Sequence, residues 1–332
     1  MNRKKFALTL CTLLVAPCPL LLAPCFSAEA QQTGKVARIG FLDSGTASGS
    51  AVLLEAFRQE LNKLGWIEAK NIAFDYRFAG GQTEHLPELA ADLVRLKVDL
   101  IVTTGDPQAL AAKKATTTIP IVMANASDPV GFGLIVTLAR PGGNVTGLSS
   151  LGTELNSKRL EILKDAVPKL ARVGLLRGDI ASPQLKEIRP AAAALKLKLE
   201  EIEIQSDSES LERAFQTAKQ KQVNAIMTIA ARRLFAERKC IVELATKFRL
   251  PAIYFQKEFV DEGGLMSYGV DYTDLYRRAA VYVDKILKGA KPADLPAQQA
   301  TKFEFVINLK AAKQIGLTIP PDVLARANQV IK

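Results

Sequence analysis

The chain has 332 residues, 48% of them apolar and 23% charged, with a formal charge of +10 at neutral pH. That is core-forming material for one large or two medium domains, and it excludes a disordered or collagen-like chain. A single histidine, His85, and four cysteines, three of them (Cys11, Cys18 and Cys25) within the first thirty residues, exclude histidine-rich metal sites and a disulfide scaffold.

Arg3, Lys4 and Lys5 precede an apolar run from Phe6 to about Phe26, and Ala28-Glu29-Ala30 puts small residues where a signal peptidase reads them. The reading is a secretory signal peptide cut after Ala30. Its removal takes away those three cations and Glu29, and lowers the formal charge from +10 to +8. An uncleaved membrane anchor is the rival, since about twenty apolar residues span a bilayer. Pro17, Pro19 and Pro24 oppose it, because proline breaks a spanning helix. Lipid attachment at Cys25, after Leu22-Ala23, is a third reading, and Pro24 stands where a small flexible residue is wanted. The thiol left after cleavage, Cys240, reads as a buried core residue.

From Val36 onward, short β-branched runs alternate with longer amphipathic stretches, the pattern of strands and crossover helices in a parallel sheet. Val36 to Leu42 is the first strand, and a helix follows with Leu53, Phe57, Leu61 and Leu64 on one face. Asn71 to Tyr76 is a strand, and Leu86, Leu89, Ala90, Leu93 and Val94 recur at helical spacing. Val98 to Thr103 is a buried strand ending in Thr104-Gly105-Asp106-Pro107, where Pro107 suits the first helical position and Asp106 the cap. Ile119 to Ala124 is a strand ending in Ser127-Asp128-Pro129, which predicts another helix opening of the same kind. Beyond the turn at Arg140-Pro141-Gly142-Gly143-Asn144, Val145 to Leu148 leads into Ser149-Ser150, where the first domain crossing is placed.

A second series follows: a helix over 155–167, strand 172–176, a helix opened by Ser182-Pro183, strand 197–204, and a helix carrying Leu211, Ala214, Phe215 and Ala218. Strand 223–229 precedes a helix with Ile241, Leu244, Ala245 and Phe248 on one face. Pro251 to Tyr254 and Leu265 to Tyr268 are strands, and Leu275, Ala279, Tyr282, Val283 and Ile286 make an amphipathic helix. After Pro292 and Pro296, Phe303 to Leu309 is a strand and Pro320-Pro321 introduces a terminal helix. Two similar α/β halves predict two doubly wound lobes with a cleft between them. Helix N-termini at the carboxyl ends of the strands aim unpaired N–H groups and positive dipole ends into that cleft.

Leu86-Pro87-Glu88-Leu89-Ala90, Ala139 to Gly147 (ARPGGNVTG), Gly263 to Gly269 (GGLMSYG), Tyr282 to Gly289 (YVDKILKG), Lys302 to Leu309 (KFEFVINL) and Ile319-Pro320-Pro321 together resemble one family. It is that of periplasmic substrate-binding proteins of ABC transporters which includes the tryptophan- and tyrosine-binding type, and the resemblance spans the mature chain. It implies a type I periplasmic binding fold, two Rossmann-like lobes with parallel sheets joined by three crossing segments. By that resemblance, residues 36–147 with 271–298 form one lobe, and 148–270 with 299–332 the other. The implied function is non-catalytic: a monomeric receptor without cofactor captures an amino acid or related carboxylate by hinge closure and hands it to membrane permease subunits. A ligand sensor for a membrane receptor, without transport, is the alternative.

The turn Ser44-Gly45-Thr46 follows the first strand and is a candidate for holding a ligand carboxylate, with helix capping as the competing role. Thr104, Gly105 and Asp106 stand at the equivalent place one unit later, Gly105 permitting close backbone approach. Asp106 either caps a helix or binds an ammonium group, and Asp128 shares the ambiguity. Ser149 and Ser150 face the cleft if the crossing is rightly placed. Tyr254, Glu258 and Tyr268 lie at or after strand ends, where rings stack on a ligand and Glu258 pairs with a cation, lobe packing being the competing role of the tyrosines. Two segments depart from the family: Arg177-Gly178-Asp179-Ile180 replaces an Asn-Pro-type turn, and Ala230-Ala231-Arg232-Arg233 an Asp-Pro-type turn. The added guanidinium groups read either as a signal of acidic cargo or as a solvated face. Trp66 reads as a core cover and His85 as a surface residue.

An enzyme is disfavoured, because no Gly-x-Gly-x-x-Gly run follows the first strand, no phosphate loop is present, and His85 has no recognisable nucleophile partner. A nucleic-acid-binding regulator, suggested by the basic charge, lacks a DNA-reading segment, since a leader occupies the N-terminus.

Overall fold

All but one residue of the first strand, Ala37–Asp43, is buried, as a strand covered on both faces requires. The computed structural model describes residues 36–177, 184–204 and 208–332. The leader read over 1–30, with Cys25 and the cut after Ala30, lies outside the described residues, as do Gly178-Asp179-Ile180 and the helix opening at Ser182-Pro183.

Five parallel strands, β1 (Ala37–Asp43), β2 (Ile72–Phe78), β3 (Leu100–Thr103), β4 (Ile121–Ala126) and β5 (Val145–Ser149), pair in the order β2-β1-β3-β4-β5. Between them run α1 (Ala47–Lys63), α2 (Leu86–Arg95) and α3 (Asp106–Ala115). One face of the sheet packs Ile39, Phe41 and Val102 against Phe57 and Leu61 of α1, and the other packs Leu42 and Ile101 against Leu93 of α2 and Ala112 of α3. After β5 the chain leaves this sheet for α4 (Gly152–Ala166), whose Leu160 and Leu163 join a second core.

That core surrounds β6 (Arg172–Arg177), β7 (Lys198–Glu203), β8 (Ala225–Thr228), β9 (Ala252–Tyr254) and β10 (Met266–Val270), in the matching order β7-β6-β8-β9-β10. Its helices are α5 (Gln184–Ala194), α6 (Ser208–Gln220), the short α7 (Arg232–Ala236), α8 (Arg238–Lys247) and α9 (Glu258–Asp261). The chain then returns: α10 (Tyr272–Leu287) packs Leu275, Tyr276, Ala279 and Val283 into the core of the first sheet, and β11 (Gln298–Gln299) adds to that sheet beside β5. It crosses a last time into β12 (Phe303–Asn308), α11 (Leu309–Ile315), α12 (Pro321–Leu324) and β13 (Gln329–Ile331). The crossings run side by side, with Ala300 N donating to Ser149 O at 2.8 Å and Asp271 N to Lys302 O at 3.1 Å.

Three expectations change. No helix follows β4: Asp128 Oδ1 accepts from Gly131 N at 2.8 Å, Leu134 N bonds Pro129 O, and Gly133 takes φ +65°, so the segment turns back on itself. The second sheet is mixed, because β12 runs antiparallel to β10 while β13 is parallel to β12. Cys240 is half-buried at the margin of the second core, in the first turn of α8 next to Ile241.

Candidate functional site

Both sheets end their strands toward one crevice, and a cavity of about 180 Å³ lies there. Its walls are the segments that follow strands, the position from which loops of doubly wound sheets reach ligands. From the first sheet come Ser44 after β1, Thr83 beyond β2, Thr104, Gly105, Asp106 and Gln108 after β3, Ser127 after β4 and Ser150 after β5. From the second come Ala230, Ala231 and Arg233 after β8, Phe255 and Gln256 after β9, and Tyr272 after β10.

Gln108 organises the polar wall. It sits in the first turn of α3 and is 1% exposed. Its Nε2 donates to Ser44 Oγ at 2.8 Å and to Thr104 Oγ1 at 3.3 Å. A hydroxyl that accepts here keeps its own proton to donate elsewhere, so Ser44 and Thr104 become a pair of donors. Gln108 Oε1 is buried with no hydrogen-bond partner, an acceptor left for a donor inside the cavity. Gly105 is the N-cap of α3, and a Cβ there would stand 2.9 Å from Gln108 Oε1.

Asp106 is therefore not the cap the sequence suggested. It is the first residue of α3, and its carboxylate reaches across to the next loop: Oδ2 accepts from Ser127 N at 2.9 Å and from the Ser127 hydroxyl, and Oδ1 from Asp128 N at 3.3 Å. Burial pushes its pKa up, while the Ser127 and Asp128 hydrogen bonds pull it down. The apolar wall is Leu53, Phe132, Ile229, Phe235 and Phe255.

Of the residues picked from the sequence, Ser44, Thr104, Gly105, Asp106 and Ser150 line this cavity. Seven lie elsewhere. Gly45 gives its N–H to Asp43 Oδ1 at 2.7 Å, and Thr46 is the exposed N-cap of α1, accepting from Gly49 N at 3.1 Å. Asp128 closes its own turn. The Ser149 hydroxyl accepts from Leu151 N at 3.4 Å. Tyr254 is 1% exposed and stacks on Phe259 at 4.7 Å inside the second core, because the alternation of β9 turns it inward. Glu258 opens α9 with Oε2 buried and unpartnered, and Tyr268 packs edge-on against Phe305 at 6.2 Å. Arg233, read as either a signal of acidic cargo or a solvated face, lines the cavity. Trp66 donates from Nε1 to Asp284 Oδ1 at 2.9 Å, tying the end of α1 to α10, and His85 is exposed.

Gln108, Asn125, Phe255 and Gln256 also line the cavity and were not singled out in the sequence, where Arg233 stood open between ligand contact and a solvated face. Phe255-Gln256 carried the usable signal, since the site begins at the first residues beyond a strand and not at its last one. Gln108 carried a weaker one, standing one helical turn after Thr104.

The family model of ABC transporter substrate-binding proteins matches residues 48–331. A tyrosine-binding protein of Clostridioides difficile is 27% identical over 266 residues, 79% of this chain and 76% of that one. An ABC domain from Streptococcus pneumonia solved in complex with L-Trp is 27% identical with a TM-score of 0.80, over 89% of this chain and 99% of that chain. The open, ligand-free structure of a Clostridium difficile substrate-binding protein with adhesive properties is 25% identical with a TM-score of 0.64, over 90% of this chain and 99% of that one. With two doubly wound sheets facing a common crevice and a match along nearly all of the described residues, this chain belongs to the ABC transporter substrate-binding protein family, whose members bind cargo and are not enzymes.

Proposed function

We propose that the protein is the extracytoplasmic receptor of an import system, exported by a leader cut after Ala30, that captures one amino acid or related carboxylate and delivers it to a membrane permease. The observation that carries this is the cavity itself, walled on one side by Ser44, Thr104 and Gln108 and on the other by Arg233, Phe235 and Phe255. A carboxylate takes the two hydroxyl protons that Gln108 leaves available, and an apolar body rests on the phenyl rings. At nearly equal identity, the greater likeness to the tryptophan-bound structure than to the open one supports reading this conformation as the closed one.

The two sheets with their helices act as lobes that swing about the three adjacent crossings. Cargo touches both walls only when they are together, so its differential affinity for the closed form drives closure of a monomer. Native mass spectrometry of protein purified from its own host identifies the copurified guest. Small-angle scattering of the stripped protein with that guest then shows compaction at one-to-one saturation, and the guest is recovered unchanged. An unaltered radius of gyration at saturation rules out hinge closure, and turnover of the guest rules out a receptor.

A further inference from the structure

Within that reading, the charges on the cavity wall narrow the cargo further. Among the described residues, Asp106 and Arg233 are the charged side chains lining the cavity. Asp106 is 4% exposed, and both of its oxygens already accept hydrogen bonds from one loop, three in all. A carboxylate offers about four acceptor sites, so this one is largely committed to holding Ser127 and Asp128 in place. An ammonium group entering the cavity finds in Gln108 Oε1 a neutral acceptor, which suits one hydroxyl proton and does not offset the cost of desolvating a cation.

The opposite wall carries a guanidinium. Arg233 has five N–H donors, so a contact it makes within the protein leaves donors for a ligand. A second cation is buried on α4. Arg159 of α4 is 1% exposed, donating to Tyr268 O and to Asn156 Oδ1, each at 2.6 Å, and among the described residues no carboxylate lies within 4 Å of it. Burial lowers its pKa to about 10, which leaves it charged at neutral pH, and it feels the phenol of Tyr272, a residue of the cavity wall. A buried cation with no carboxylate beside it among the described residues is screened less than one at the surface.

We infer that the cargo is an organic anion without an ammonium group, a carboxylate with an apolar body and at most a hydroxyl where an amino acid carries its nitrogen. The inference rests on the receptor reading above, and titration calorimetry of the purified, ligand-stripped protein separates the two. The probes share a phenyl body: 3-phenylpropionate, 2-hydroxy-3-phenylpropionate, L-phenylalanine and 2-phenylethylamine, with the set repeated on hydroxyphenyl and indole bodies. The expected result is that, in the body series that binds, an acid without nitrogen binds at least about tenfold tighter than the amino acid, and the amine gives no heat. In Arg233→Gln that preference shrinks by about tenfold, the scale of one charge-assisted contact. Amino acids that bind as tightly as their deaminated acids, or amines that bind at all, overturn the inference while leaving a carboxylate receptor standing. Silence of all three series overturns both. Should Arg233→Gln fail to fold, the probe ranking on the unaltered protein still decides.

Discussion

Gln108 decides how the polar wall works, because one amide nitrogen shared between Ser44 and Thr104 turns two ambivalent hydroxyls into donors. Residues of that wall were legible where they stand at the junction of a strand and the following segment, as Ser44, Thr104 and Ser150 do. Asp106 was legible as a site residue, but its role was not: a carboxylate at a helix start reads as a cap, and only the fold brings Ser127 within its reach. Glu258 carries a different consequence of burial. Desolvation raises its pKa above 4.5, and Oε2 has no partner. The folded state therefore holds the proton more tightly than the unfolded one. The stabilisation from this group is full below pH 4.5 and fades as pH rises through the raised folded value. Glu258→Gln, which removes the charge, is expected to be more stable than the unaltered protein at pH 7 by about 1 kcal/mol, the cost of one buried unsatisfied acceptor. That advantage vanishes toward pH 4 in thermal melts across the range.

Among the elements, the fifth strands of the two sheets share a device. Gly147 of β5 takes φ +131°, and a Cβ there would stand 2.2 Å from Met123 O of β4. Gly269 of β10 would place a Cβ 2.1 Å from Phe255 O, just beyond β9. In each sheet the neighbouring backbone comes this close just before the chain crosses over. Gly147→Ala and Gly269→Ala are each expected to lose on the order of 3 kcal/mol, read as a lower urea midpoint. The strands and long helices were readable because β-branched runs and 3.6-residue stripes announce themselves locally. The two-residue β11 and the short α7, α9 and β13 were not, since pairing and docking across the sheet define them more than any periodicity. Ser127-Asp128-Pro129 misled for a related reason: the same polar-then-proline signature serves a turn when Gly131 and Gly133 follow instead of a helical stripe.

In the whole molecule, the two sheets exchange covers. The helix after β5 packs beneath the second sheet, and the helix after β10 packs on the first, so each half of the chain finishes the other. Residues 36–150 expressed alone are expected to be insoluble or to bind a hydrophobic dye, because the face that meets Leu275, Tyr276 and Val283 is bare. Supplying residues 151–332 in the same cell restores soluble material. The exchange also sets a timetable. The chain is made from its N-terminus, so the first sheet to be synthesised waits for its cover until about Leu287 has emerged, after β6 to β10 of the second sheet and before its β12 and β13. A nascent chain released at residue 271 therefore stays open to protease at both ends of its length, and maturation is a single late event and not two successive ones.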